Sequence, residues 1–180
     1  MSISRHRLND GSEAVIRPIA PSDQERLKRS FEQLGADSRY RRFLGTKASL
    51  SDRELVYFTE VDHRDHEALV AEQPVTGEIL GVARFVRSER NPSVAEVGIA
   101  VVDHAQRRGL GRVLMNRLAS RALEEGVTRF TGVTLLGNAA IRALFRELGP
   151  TVSTHVGSGT AKLAVNLTPD HAVGGLARAA

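Results

Sequence analysis

The chain has 180 residues, 41% hydrophobic and 26% charged, values that suit one globular domain with a core over about 13–167 and a tail over 168–180. It holds no cysteine, which excludes disulfides, Cys-based zinc sites and a cysteine nucleophile, and its net charge is +4 with a pI near 10.1. No apolar run approaches the ~18 residues of a membrane span, and MSISRHRLND lacks an apolar signal core, so a cytoplasmic protein without membrane contact is expected.

In chain order, "EAVIRPI" over 13–19 predicts a strand ended by Pro21. "SDQERLKRSFEQLG" predicts a helix with Ser22 and Glu25 as a capping box, Leu27, Phe31 and Leu34 as its stripe, and Gly35 as its stop. "DSRYRRFLG" reads as a short helical turn, and a further helix starts near Ser51. "HEALVAEQ" and "GEILGVARFVRS" are strands around a turn at Pro74 to Gly77, and "SVAEVGIAVV" is a third apolar strand. A helix follows with Leu110, Val113, Leu114, Leu118 and Ala122 on one face and Gly126 past its end. "TRFTGVTLL" is a strand, "NAAIRALFRELGP" a helix capped by Asn138, and "TVSTHVG" with "TAKLAVNL" a closing hairpin. Three strands in direct succession argue for a mixed α/β fold. It would have a central, mostly antiparallel sheet of about seven strands with helices on both faces.

"AQRRGLGRVL" at 105–114 carries the first chemical signal. A helix that opens on Gly-Leu-Gly starts poorly, since glycine costs about 1 kcal/mol per interior position. The unpaired amides of a helix N-terminus make an anion site, however, and glycines let an anion approach the backbone. Arg107, Arg108 and Arg112 add positive charge. The spacing is neither a Walker A loop nor GxGxxG, because position 114 is Leu. The basic balance admits a nucleic acid or an anionic cofactor, but no interleaved aromatics or zinc-finger spacing accompany it, so no nucleic-acid partner is expected.

Gln106-Arg-Arg-Gly109-Leu-Gly111 resembles the Q/R-x-x-G-x-G/A signature of the GCN5-related N-acetyltransferases (GNAT), whose loop cradles the pyrophosphate of acetyl-CoA. "GNAAIRALFRELG" is similar to that family's following helix, with Asn138 at its cofactor-contacting Asn. "SRYRRF", "VDHRDHEALVA", "GVARFVR" and "AEVGIAVVDHAQRRGLG" resemble the acetyltransferase domain of bacterial Pat-type protein lysine acetyltransferases, over roughly 13–167. Members of that group often carry a cyclic-nucleotide-binding or acyl-CoA-synthetase-like domain, and none is expected within these residues. The resemblance implies an acetyl-CoA-dependent N-acetyltransferase without a metal. It implies cofactor contacts from Ile99, Val101, Gln106, Arg107, Arg108, Gly109, Leu110, Gly111, Arg112 and Asn138, with the backbone of 99–101 pairing the pantetheine arm.

Attack by an amine on a thioester requires a neutral amine, and a lysine with a pKa near ~10.4 arrives protonated. A carboxylate raised by burial can take that proton. Glu96 is the candidate, because a charge is out of pattern in "VAEVGIAVV" and it matches the general base of the Pat-type group. The alternative is a Glu facing water or paired with Arg84 or Arg87. Gly98 in the same strand marks a bulge, a close backbone approach or a packing glycine, and the resemblance implies a bulge here that splays this strand from the next. Phe145 departs from the wider family, many of whose members have there a Tyr that protonates the leaving thiolate; the Pat-type group often lacks it too, and the thiolate would leave unassisted, take a proton from water, or take one from Tyr40 or Tyr57 if the fold brings one close. "EVDHRDHE" at 60–67 has two His and four carboxylates and reads as a solvated loop, not a metal site, and His104 and His155 as structural. The expected acceptor is a protein lysine, with a small amine (polyamine, aminoglycoside or amino acid) as the alternative. A non-catalytic acyl-CoA sensor is a further reading, and the expected assembly is a monomer or homodimer.

Overall fold

The computed structural model describes residues 3–157 and 159–168; the expected tail from 169 onward and the side chain of His155 lie outside the described residues. The strands are β1 (Ser4–Arg7), β2 (Glu13–Pro18), β3 (His66–Glu72), β4 (Ile79–Ser88), β5 (Asn91–Val101), β6 (Arg129–Leu135), β7 (Thr151–Gly157) and β8 (Thr160–Asn166). They form one sheet in the order β1-β2-β3-β4-β5-β6-β8-β7. Every pairing is antiparallel except β5 with β6. The helices are α1 (Gln24–Glu32), α2 (Ala36–Phe43), α3 (Asp52–Thr59), α4 (Leu110–Glu124) and α5 (Ala139–Leu148). None of the described helices is long and apolar enough to cross a membrane.

The sheet is the mixed, mostly antiparallel one expected, with eight strands rather than about seven. The extra strand is β1, whose sequence Ser-Arg-His-Arg has no apolar alternation to announce it. The unbroken run "ALVA" in β3 follows from burial on both faces. Ala68 and Val70 face Leu27, Phe31 and Leu55 of the α1 and α3 side, while Leu69 and Ala71 face Leu114 and Leu118 of α4. The stripe on α4 is therefore core, and α5 adds Phe145 and Leu148 to that layer.

The expected capping box of Ser22 and Glu25 does not form. Pro21–Asp23 makes a 3-10 turn, and α1 begins one residue later with no side-chain cap. Asp23 is instead fully buried. Its Oδ2 accepts from Ala20 N at 2.9 Å and from Arg17 Nη1 at 2.7 Å, and its Oδ1 accepts from Arg26. Arg17 also pairs with Glu72 of β3 at 2.7 Å, so one ionic cluster joins β2, β3 and the start of α1. Burial opposes the charge on Asp23, but the hydrogen bonds from Arg17 and Ala20 and the Arg26 charge outweigh it and hold its pKa below the ordinary value. A depressed carboxylate contributes stability above its unfolded pKa, lost as pH falls through the folded one. We expect Asp23→Asn to lower unfolding free energy by about 3 kcal/mol at pH 7, since it leaves Arg17 short of a partner. Urea titrations should show the gap to the parent narrowing below about pH 4. A gap that does not change with pH would contradict this account.

Candidate active site

A cleft of about 590 Å³ opens where β5 and β6 part. The two strands pair only at Val94–Arg129, Ala95–Phe130 and Glu96–Thr131. Beyond that point β5 keeps its register with β4 as far as Val101, and no strand pairs with its other edge among the described residues. Val102 N donates to Leu80 O on the β4 side at 2.9 Å. Backbone direction alternates along a strand, so the N–H and C=O groups of Val101, Ile99 and Val97 face the open edge. Glu96, Gly98, Ile99 and Val101 line one wall of the cleft, and Val133 and Thr134 line the other.

The end of the cleft beyond Val101 is closed by the loop that starts α4. Gln106 Nε2 donates to Val101 O at 3.0 Å, to Ser38 Oγ at 3.1 Å and to Asp103 Oδ1 at 3.2 Å. Asp103 also accepts from Ser38 Oγ at 2.6 Å, which ties α2 to the loop. Arg107 has φ 59° and Gly109 φ 86°, both in the left-handed region. Gly109 is the N-cap of α4 and supplies no capping side chain. The first intrahelical bond runs from Val113 N to Gly109 O at 3.2 Å. The amides of Leu110, Gly111 and Arg112 thus meet the end of the cleft with the helix dipole behind them.

The expected contact residues divide. Ile99, Val101, Gln106, Arg107, Gly109, Gly111, Arg112 and Asn138 line the cleft. Arg108 does not; it pairs with Asp10 at 3.1 Å. The Leu110 side chain is 1% exposed in the core, so only its amide is at the loop. Arg112 holds Glu147 bidentately, both contacts at 2.7 Å, an interaction that raises its pKa. Asn138 caps α5 through Ile141 N at 3.3 Å.

Glu96 is exposed at the other end of the cleft rather than buried, because the open side of β5 carries it. Neither neighbouring arginine pairs with it. Arg84 donates to His66 and to Phe58 O, and Arg87 pairs with Asp65 at 2.7 Å. The bulge expected at Gly98 is absent. Arg84↔Gly98 lies within an unbroken register, and the irregularity falls at Arg87/Ser88. A Cβ at 98 would stand 2.8 Å from Arg42 Nη2, so this glycine makes room for a guanidinium from α2.

Comparison with known proteins adds to this geometry. Residues 28–149 match the acetyltransferase (GNAT) family. The chain belongs to that family. It is 34% identical over 143 residues to Acetyltransferase Pat of Mycolicibacterium smegmatis, covering 79% of this chain and 43% of that protein. It is 30% identical over 144 residues to an acetyltransferase of Pseudomonas aeruginosa, covering 79% and 77% of the two chains. The crystal structure of the GNAT domain of S. lividans PAT superposes with a TM-score of 0.83 at 29% identity, over 92% of this chain and 97% of that one. The chain thus spans less than half the length of its mycobacterial relative.

Within this GNAT chain, Phe145 is 1% exposed and faces the core, not the cleft. Tyr40 and Tyr57 are exposed and do not line the cleft either. In the 60–67 segment, Asp62 accepts from the amides of Arg64, Asp65 and His66, and buried Glu67 binds Arg121 at 3.1 Å. Those carboxylates hold the loop, and no metal cluster is found among the described residues. Several lining residues escaped the sequence reading, among them Asn9, Ser38 and Arg42. Asn9 N donates to Arg108 O at 3.0 Å, and its side chain lies 3.1 Å from where a Cβ on Gly109 would stand. Gly109→Ala should therefore cost about 1–2 kcal/mol, from the left-handed backbone together with that contact. Denaturant unfolding checks this, and an unchanged midpoint would contradict the loop geometry.

Proposed function

We propose that this chain moves an acetyl group from acetyl-CoA to the side chain of a protein lysine by direct attack in a ternary complex, with Glu96 as general base. The observation that carries the reading is the placement of Glu96 and the α4 amides at opposite ends of one open strand edge. Val101 lies five residue steps beyond Glu96, about 17 Å of edge. In this reading the pyrophosphate sits on the amides of 110–112 beside Arg107 and Arg112. The pantetheine arm pairs with Ile99 and with the Val101 N–H, since Gln106 already holds the Val101 carbonyl. The thioester then lies beside Gly98, and the acceptor enters past Glu96.

Glu96 takes a proton from the ammonium, directly or through a water. The freed amine attacks the thioester carbonyl, the C–N bond forms, the nitrogen loses its second proton to solvent and the C–S bond breaks. Sulfur leaves with the bonding pair and is protonated by solvent, because buried Phe145 has no proton to give. A protein lysine is favoured by the resemblance to the Pat-type group. It is also favoured by the cleft lining, where Arg41, Arg42, Arg107 and Arg112 outnumber Glu96 and Glu147 and repel a polycationic amine.

The test is steady-state kinetics of Glu96→Gln with a lysine-bearing protein acceptor. We expect CoA affinity within about threefold of the parent and kcat at pH 7 lower by about 100-fold, with partial recovery at high pH as the ammonium loses its proton unaided. Unchanged kcat at pH 7 would remove Glu96 from the mechanism. Faster transfer to polyamines than to protein lysines would remove the acceptor assignment.

A further inference from the structure

Two guanidinium groups lie on the α1–α3 side of the sheet with no carboxylate paired to either among the described residues. Arg84 is 7% exposed. It donates to His66 Nε2 at 3.1 Å and Phe58 O at 3.2 Å, and sits 4.3 Å from the centre of the Phe58 ring. These partners are neutral: burial and the Arg84 charge push His66 down to about 4. Arg42 lies over Gly98 and 5.1 Å from the Phe43 ring centre. The other ionisable groups facing the pair are Glu96, exposed on the cleft side, and the Tyr57 phenol. Burial, then the nearby Arg42 charge, push Arg84 down to about 9. Two other partly buried arginines do meet carboxylates: Arg17 meets Asp23 and Glu72, and Arg121 meets Glu67, Glu124 and Glu125.

Arg42 and Arg84 both line a cavity of about 50 Å³ whose other walls are mostly apolar. Arg42, Phe43 and Ala100 line this cavity and the cleft alike, so the two spaces adjoin beside Gly98. One water needs about 10–15 Å³ of such space, so the cavity suits a group of a few heavy atoms. Two unmatched cations in an apolar pocket favour an anion strongly, because each buried charge is costly until it is paired.

We propose that this pocket receives the terminal carboxylate of a short dicarboxylic acyl chain, making a thioester such as succinyl-CoA a donor for this chain. The inference rests on reading the cleft as an acyl-CoA site. With the thioester carbonyl beside Gly98, the chain turns past Ala100 and Phe43 and its carboxylate meets the two guanidinium forks. The bonds made and broken are those of acetyl transfer. A neutral chain of equal length fills the same space but leaves both cations unmatched.

The test compares kcat/KM for succinyl-CoA and butyryl-CoA with one acceptor. The two donors have equal chain length and differ in carboxylate against methyl. We expect the full chain to prefer succinyl-CoA by about tenfold or more, and Arg84→Met to reduce that ratio about tenfold, with Arg84→Lys recovering part of it. Arg42→Gln gives an independent reading of the same ratio should Arg84→Met fail to fold. A parent ratio at or below one, or a ratio that neither substitution lowers, overturns the proposal. Turnover of acetyl-CoA alongside such a ratio leaves the acyl-CoA reading intact. Failure to bind any acyl-CoA removes both.

Discussion

The parting of β5 from β6 is the feature on which the site depends. Three paired residues hold the strands together, and then each takes a different neighbour: β5 stays on β4, and β6 stays on β8. A strand edge left open in the middle of a sheet exposes unpaired amides and carbonyls, which is costly unless water or a ligand meets them. The fold sustains the gap by packing beside it. A Cβ on Gly132 would stand 3.2 Å from Phe145 Cζ and 3.3 Å from Val97 O, so α5 presses its ring against β6 just past the last pair. Phe145 therefore has a packing role at the gap, which fits an aromatic residue without a hydroxyl.

The second element is the loop that meets the open edge. Gly109 accepts a left-handed backbone and gives up a side-chain cap, and the first α4 amides find no partner among the described residues. Contacts from distant parts of the chain hold this unfavourable start in place. Asn9 and Asp10 reach Arg108 from the β1–β2 turn, and Gln106 fastens the loop to Val101, Asp103 and Ser38. Arg42 then crosses Gly98 from α2, so the β1–β2 turn, α2 and the loop before α4 all send polar side chains to the cleft.

Much of this was legible in local sequence pattern. The stripe on α4, the doubly buried runs of β3 and β4, and the glycine loop before a periodic helix each depend on residues close in sequence. What escaped depends on distant partners. Nothing near Gly98 announces Arg42, 56 positions earlier, so the sequence leaves bulge and close approach both open, and the structure shows a close approach in place of the bulge that the family resemblance implies. Ser22 and Glu25 fit a local capping pattern, but Asp23 is drawn into the core by Arg17 of β2, which Glu72 of β3 also holds. β1 is polar and short, and its sheet position is set by β2 alone. Glu96 was legible as an out-of-pattern charge, whereas its exposure follows from the gap beside it.

The central claim is that the open edge of β5 and the amides that start α4 form one binding surface for an acyl-CoA. Backbone amide chemical shifts, followed by NMR as CoA is added, test it most directly. The account predicts the largest perturbations, with slowed hydrogen exchange, at Ile99, Val101 and Leu110 to Arg112, and little change in β1, β2 or α3. Saturable binding that leaves those amides unmoved, or that perturbs the α3 side instead, would contradict it.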